Sequence, residues 1–266
     1  MKYGLFDTHA HYTDKRFETE HEGGAEELLR ALFADEVGVI INVATDVDNA
    51  IDVIAQAKKY DGMYAAVGIH PTDCKELSDI DAELERLEEL LKHKEENKIV
   101  AIGEIGFDYY WEPFEKEKQY DYFYRQMQLA EKYELPVVIH DREAHGDTFD
   151  MIMRFPSIKG ILHSCSASAE MVRQLCKTGN WYVSFSGTVT FKNAAKVKEA
   201  AAAVPIDRIL SETDCPYLAP HPHRGKMNHS GLMRYTVETL AEIHGKDIDE
   251  MRCILYQNAQ NVFKLC

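Results

Sequence analysis

Nowhere in the chain does an apolar run approach the roughly 18 residues that a membrane-spanning helix requires, and no membrane association is expected. Cys-x-x-Cys pairs are also missing, because the six cysteines (74, 165, 176, 215, 253 and 266) are scattered. A chain of 266 residues buries enough core to do without disulfide staples, so reduced thiols and a cytoplasmic location are expected. Met1-Lys2-Tyr3-Gly4 precedes the expected first strand directly, so no signal peptide is expected. A basic surplus is absent as well: 30 Lys and Arg stand against 45 Asp and Glu, a net charge of −15. That argues against broad electrostatic capture of nucleic acid. It does not exclude a phosphate substrate, since exposed charges are screened beyond about 8 Å at physiological salt. Such a site would need its own cations.

What is present is a strict alternation of short apolar strands and amphipathic helices. Strands are expected at 5–11, 37–43, 63–69, 99–104, 136–140, 160–163, 181–185 and 208–212. Helices are expected at 26–35, 46–60, 79–95, 115–133, 145–154, 168–178, 193–203, 230–244 and 248–263. Eight strand-helix repeats in this length predict a (β/α)8 TIM barrel. No linker divides the chain, so residues 1–266 are expected to form a single domain. An open doubly wound sheet is the alternative, but the first strand-helix turn lacks Gly-x-Gly-x-x-Gly.

In a barrel the strand C-termini converge on one face, where active sites lie. Strand one carries His9 and His11, strand three runs into His70, strand four ends in Glu104, and strands five and six end in His140 and His163. Strand eight ends in Glu212-Thr213-Asp214. Five of the twelve histidines thus fall at the same end of apolar strands. Residues i and i+2 of a strand share a face, so His9 and His11 can bind one ion together, with Asp7 placed to orient a ring through its second nitrogen. His9, His11, Glu104, His140, His163 and Asp214 are too many donors for one tetrahedral ion. They suit two divalent cations bridged by Glu104, with His9, His11 and Asp214 completing one and His140 and His163 the other. Zinc, manganese and magnesium are the candidate metals. Two such ions clamp an in-line displacement and supply hydroxide at neutral pH, with Asp214 as general base.

These stretches resemble a known family. Asp7-Thr8-His9-Ala10-His11, Gly68-Ile69-His70-Pro71, the segment from Gly103 to Tyr110 and His140-Asp141-Arg142-Glu143-Ala144 are similar to TatD-related metal-dependent deoxyribonucleases. So are the segments from Glu212 to Tyr217 and from Pro222 to Asn228. The resemblance implies an amidohydrolase-superfamily barrel that hydrolyses DNA, and it carries the six ligand roles onto the residues above. Two departures stand out. His163-Ser164-Cys165-Ser166-Ala167 replaces the family's His-Cys-Phe-Ser-Gly, and Asn228-His229-Ser230 replaces Asn-Glu-Pro. Ser230 can still cap the following helix.

Around this set, His70, Arg224, Lys226 and Tyr109 are candidate substrate contacts. Arg224 and Lys226 offer a phosphate fork and a point charge, and the Tyr109-Tyr110-Trp111 run can stack bases or pack over the rim. His70 could instead satisfy backbone groups. Arg142 reads as a structural ion-pair partner, Glu212 as a support to a ligand or its strand neighbour, and Cys165 and Cys215 as small apolar fillers. The expectation is a two-metal deoxyribonuclease acting on single strands or strand ends, with no obligatory protein partner. A lactonase or amidase on the same centre is the alternative, and a non-catalytic metal- or nucleic-acid-binding barrel is the third.

Overall fold

The strands pair in sequence order, β1 to β8, all parallel, in one eight-stranded sheet. The computed structural model describes residues 4–77 and 79–265. The segment Met1–Tyr3, on which the signal-peptide expectation falls, and Cys266 lie outside them. The strands are β1 Leu5–Ala10, β2 Val37–Val43, β3 Met63–Val67, β4 Ile99–Asp108, β5 Val137–Arg142, β6 Gly160–Leu162, β7 Trp181–Phe185 and β8 Ile209–Ser211. Closure falls just beyond β8, where Asp214 N–H donates to the His9 carbonyl (2.9 Å) and His11 N–H to that of Cys215 (2.8 Å). The expected (β/α)8 barrel is the fold observed.

The helices are α1 Lys15–Glu20, α2 Gly24–Ala34, α3 Val47–Ala57, α4 Ile80–Lys92, α5 Lys116–Tyr133, α6 His145–Met153, α7 Ala169–Lys177, α8 Ala195–Ala203, α9 Met233–His244 and α10 Ile248–Phe263. Several start where a short polar side chain meets free backbone N–H groups. Asp46, Asp79, Ser168 and Asp247 each accept from a backbone N–H of the first turn, worth about 1 kcal/mol apiece. Short α1, with only Phe17 buried, carries too little apolar pattern to be read from sequence. Among the described residues no helix is long and apolar enough to cross a membrane.

One buried cluster draws Phe6, Ile41, Ala66, Ala101, Val138, Ile161, Tyr182 and Leu210 from the eight strands in turn. Ala259, Val262 and Phe263 of α10 belong to the same cluster. Asn258 fastens that helix under the barrel by donating to the Ile206 and Ile209 carbonyls at the start of β8. The bottom is therefore sealed by apolar packing, and polar groups are left to collect at the opposite mouth.

β4 departs furthest from its expected boundaries. It runs four residues past Glu104 to Asp108, paired with the end of β5 through Gly106–His140 and Asp108–Arg142. The approach is close enough that a Cβ on Gly106, whose φ is +148°, would sit 2.0 Å from the His140 carbonyl oxygen. Only glycine fits there. That contact holds Glu104 and His140 in register on neighbouring strands.

Candidate metal centre

At the mouth, the Nε2 atoms of His9 and His11 face each other at 2.9 Å. Glu104 Oε2 lies 3.3 Å from the first and 3.6 Å from the second, and Asp214 Oδ1 lies 3.7 and 3.5 Å from them. Four donors around a tetrahedral ion at 2.0–2.2 Å are separated by about 3.3–3.6 Å. The five measured edges scatter around that value, so this set fits one cation. The His11 ring agrees, since its Nδ1 lies 2.9 Å from the Val43 carbonyl. The proton must sit on Nδ1 for that bond, which leaves Nε2 bare for a metal.

The other carboxylate oxygen of Glu104 faces a different pair. His140 Nδ1 and His163 Nε2 both approach Oε1 to 2.7 Å, and the His163 ring stacks on His9 at 4.0 Å. Those are hydrogen-bond distances, shorter than metal-ligand edges, and charge accounts for them. Burial alone would push His140 down, but Glu104 and Asp108 outweigh it and hold the imidazole up at about 9. Burial likewise works against the His163 cation, and Glu104 with Glu212 raises it well above the ordinary histidine range. Glu104 is the counterpart: burial favours its neutral form, yet His163, His70, His9 and His140 hold it well below the usual carboxylate range. The site is thus a buried, ionised carboxylate shared by protonated imidazoles, and a cation entering there displaces their protons. Asp214 shows the same balance, raised by burial but pulled below normal by His11, His9 and His163.

The outer nitrogens of the second pair are tied down. His140 Nε2 lies 2.9 Å from Asp108 Oδ2, and His163 Nδ1 lies 3.1 Å from Glu212 Oε1. Carboxylates behind histidines fix the ring orientation and raise ligand basicity. Glu212 was anticipated in this role, whereas Asp108 was not. Its signal was present in the sequence, since residues four apart on a strand share a face and Ile105-Gly106-Phe107 allows the strand to continue. Replacing Asp108 by Asn is expected to weaken divalent-metal affinity by roughly 10–100-fold while leaving the fold intact. Isothermal titration of the metal-free variant would measure it, and an unchanged affinity would remove Asp108 from the centre.

Asp7 does not orient a histidine ring. Its carboxylate accepts from the Thr213 hydroxyl (2.6 Å), the Ser230 hydroxyl (2.7 Å) and the Thr213 N–H (2.9 Å). It reaches His9 only at the backbone N–H (3.3 Å), and His9 Nδ1 is buried without a partner. Asp7 instead binds strand one to the segment after β8, positioning Asp214 beside His9. Burial raises its carboxyl to about 6 despite those donors. Ser230 is not a helix cap either, because its hydroxyl is committed to Asp7 and Tyr12. Cys165 and Cys215 are buried, and burial raises both thiols, the first to about 12. They are fillers, as expected.

A cavity of about 740 Å³ opens above these groups. His70 lies on its wall, with Nε2 3.6 Å from Glu104 Oε1. The Thr72 N–H donates to His70 Nδ1 (3.2 Å), so the neutral ring carries its proton on Nε2 and directs a donor into the site. Tyr109 is not part of the lining: its hydroxyl donates to Asp147 (2.8 Å) and its ring stacks on Phe114. Trp111 takes that place on the wall. Arg224 and Lys226 are exposed and also outside the lining, with Arg224 lying over the Phe191 ring. Arg142 has no carboxylate within ion-pair distance among the described residues. The expected ion pair is replaced by a stack, its guanidinium 3.9 Å from the centre of the Tyr110 ring.

A (β/α)8 barrel with this donor set at its mouth belongs to the metal-dependent hydrolases. Comparison with known proteins narrows the class. Residues 6–264 match the family model described as TatD related DNase, and the chain belongs to that family. It is 38% identical over 263 residues to the uncharacterized metal-dependent hydrolase YabD of Bacillus subtilis, covering 98% of this chain and 99% of that protein. It is 32% identical over 263 residues to the uncharacterized metal-dependent hydrolase YcfH of Escherichia coli, covering 98% and 96%. The crystal structure of YJJV, a TatD homologue from Escherichia coli, superposes with a TM-score of 0.88 at 30% identity, covering 98% of each chain.

Proposed function

We propose that the protein is a metal-dependent deoxyribonuclease that hydrolyses phosphodiester bonds in single-stranded DNA or at strand ends. The observation that carries this reading is the division of Glu104. Its Oε2 faces His9 and His11, and its Oε1 faces His140 and His163, as a carboxylate bridging two cations would. Zinc, manganese or magnesium ions held there would supply positive charge to a phosphate and a water acidified toward neutral pH. His9, His11 and Asp214 would hold one, and His140 and His163 the other. Asp214, kept ionised by the surrounding imidazoles, accepts the proton of the attacking water. His70 donates from Nε2 to a phosphate oxygen. Arg224 and Lys226 contact the strand farther out, as exposed phosphate partners rather than as cavity groups.

The chain works as one domain, residues 1–266, because five strands of one barrel together supply the six donor groups. A reducing, cytoplasmic setting is supported by five free cysteines among the described residues. One observation favours the second reading, a lactonase or amidase. Six carboxylates line the cavity (Asp14, Asp73, Glu104, Asp108, Asp141 and Asp214), against Arg142 as its one Lys or Arg among the described residues. A small neutral substrate would tolerate that wall better than a polyanion. Metal-loaded protein offered end-labelled oligonucleotides beside lactones and cyclic amides separates the two. Metal-dependent shortening of the oligonucleotide alone is expected. Turnover confined to the carbonyl substrates would overturn the nuclease reading.

A further inference from the structure

The geometry points to a nucleobase-binding subsite at the cavity lip, with the face of Trp111 stacking the base next to the scissile phosphate and Arg142 holding an adjoining phosphate. This deepens the phosphodiesterase reading above and rests on it. Trp111 and Tyr110 are about half exposed, at 56% and 50%, and meet edge to face with ring centres 4.9 Å apart. Two large exposed aromatics beside a polar, carboxylate-lined cavity call for a ligand with a flat apolar face. Tyr110 is occupied, because Arg142 lies 3.9 Å above its ring. Trp111 is 5.5 Å from the same guanidinium and lines the cavity itself.

The lip is rigidly joined to the candidate metal centre. Asp108 turns Oδ2 to His140 Nε2 (2.9 Å) and accepts the Tyr110 and Trp111 N–H groups at Oδ1 (2.9 and 3.3 Å). One carboxylate thus orients a candidate metal ligand and the two aromatics together. Arg142 stands two residues beyond His140 on β5, and its carbonyl accepts the Tyr109 N–H (2.9 Å). Its neighbour Asp141 is engaged by His145 (2.6 Å) and Thr148 (3.2 Å). The guanidinium therefore keeps its charge for an incoming anion. A weakly hydrated, stacked guanidinium is the cation best suited to a phosphate in a bidentate grip. A base on an aromatic face next to a phosphate on arginine is the binding mode of a single strand, whose bases are not committed to pairing.

Tryptophan fluorescence reads the subsite directly, because the chain has two tryptophans and Trp181 is buried at 2% exposure. Metal-loaded protein would be titrated with a cleavage-resistant phosphorothioate oligothymidine and with an abasic oligomer of equal length. Quenching by the base-bearing strand alone, lost in Trp111→Phe, is expected. In cleavage assays Trp111→Ala should raise KM by roughly 5- to 150-fold, the equivalent of one base stacked on an aromatic face. The kcat should hold, Trp111→Phe should restore most of the affinity, and the abasic substrate should not discriminate between the variants. Equal quenching by both strands, or an unchanged KM in Trp111→Ala, overturns the subsite. If the wild-type protein cleaves no phosphodiester the nuclease reading falls, and the fluorescence titration still decides the subsite.

Discussion

Replacing Glu104 by Ala is expected to abolish metal-dependent hydrolysis, with a loss on the order of 10³-fold or more in kcat/KM. Both donor sets lose their shared member at once, and several kcal/mol of metal-derived charge stabilisation goes with it. The residue is 3% exposed, with both oxygens engaged by imidazole. Its removal also leaves His140 and His163 without the carboxylate that holds them protonated in the metal-free protein. Circular dichroism establishes that the variant is folded, and elemental analysis reads its metal content. Activity near that of the wild type in a folded Glu104→Ala protein would disprove the bridged centre.

Asp214→Asn tests a different step. The substitution keeps the size of the side chain and the backbone bond from its N–H to the His9 carbonyl, but it removes the proton acceptor. A fall of roughly 10²–10⁴-fold in kcat, with KM little changed, is the size expected for losing a general base. Metal at Glu104, His140 and His163 should persist, because Asp214 is not part of that set. Asp214 has an αL backbone, φ +57°, a conformation that Asp and Asn both tolerate. The comparison is therefore free of backbone strain. A variant that kept full kcat would place the proton acceptor elsewhere.

Much of the architecture was legible because it depends on local pattern. Near-continuous apolar strands alternating with amphipathic helices can bury both faces only in a parallel sheet covered by helices, and the absence of Gly-x-Gly-x-x-Gly set the open alternative aside. The six candidate donors were legible for a related reason. Each stands in the C-terminal half of a strand or just beyond it, and a barrel brings all such ends to one mouth. Boundaries were less accurate where pairing rather than composition sets them. β4 continues to Asp108 because its partner β5 extends beside it, and β3 stops at Val67, two residues before the apolar run does.

Side-chain destinations were the least legible. Asp7 looks like a ring-orienting carboxylate until Thr213 and Ser230, more than 200 residues away, claim its oxygens. Tyr109 and Trp111 lie two positions apart, yet one turns to Asp147 and the other lines the cavity. Arg142 finds Tyr110 instead of a carboxylate.

Strand period and strand polarity are local properties, so the barrel, the chemical identity of the donors and the end of the barrel at which they gather could all be read along the chain. How Glu104 divides its oxygens, which carboxylates stand behind His140 and His163, and which rim residues face the cavity came from the folded molecule alone. Those are distances between strands far apart in the chain, and they are set by closure and packing.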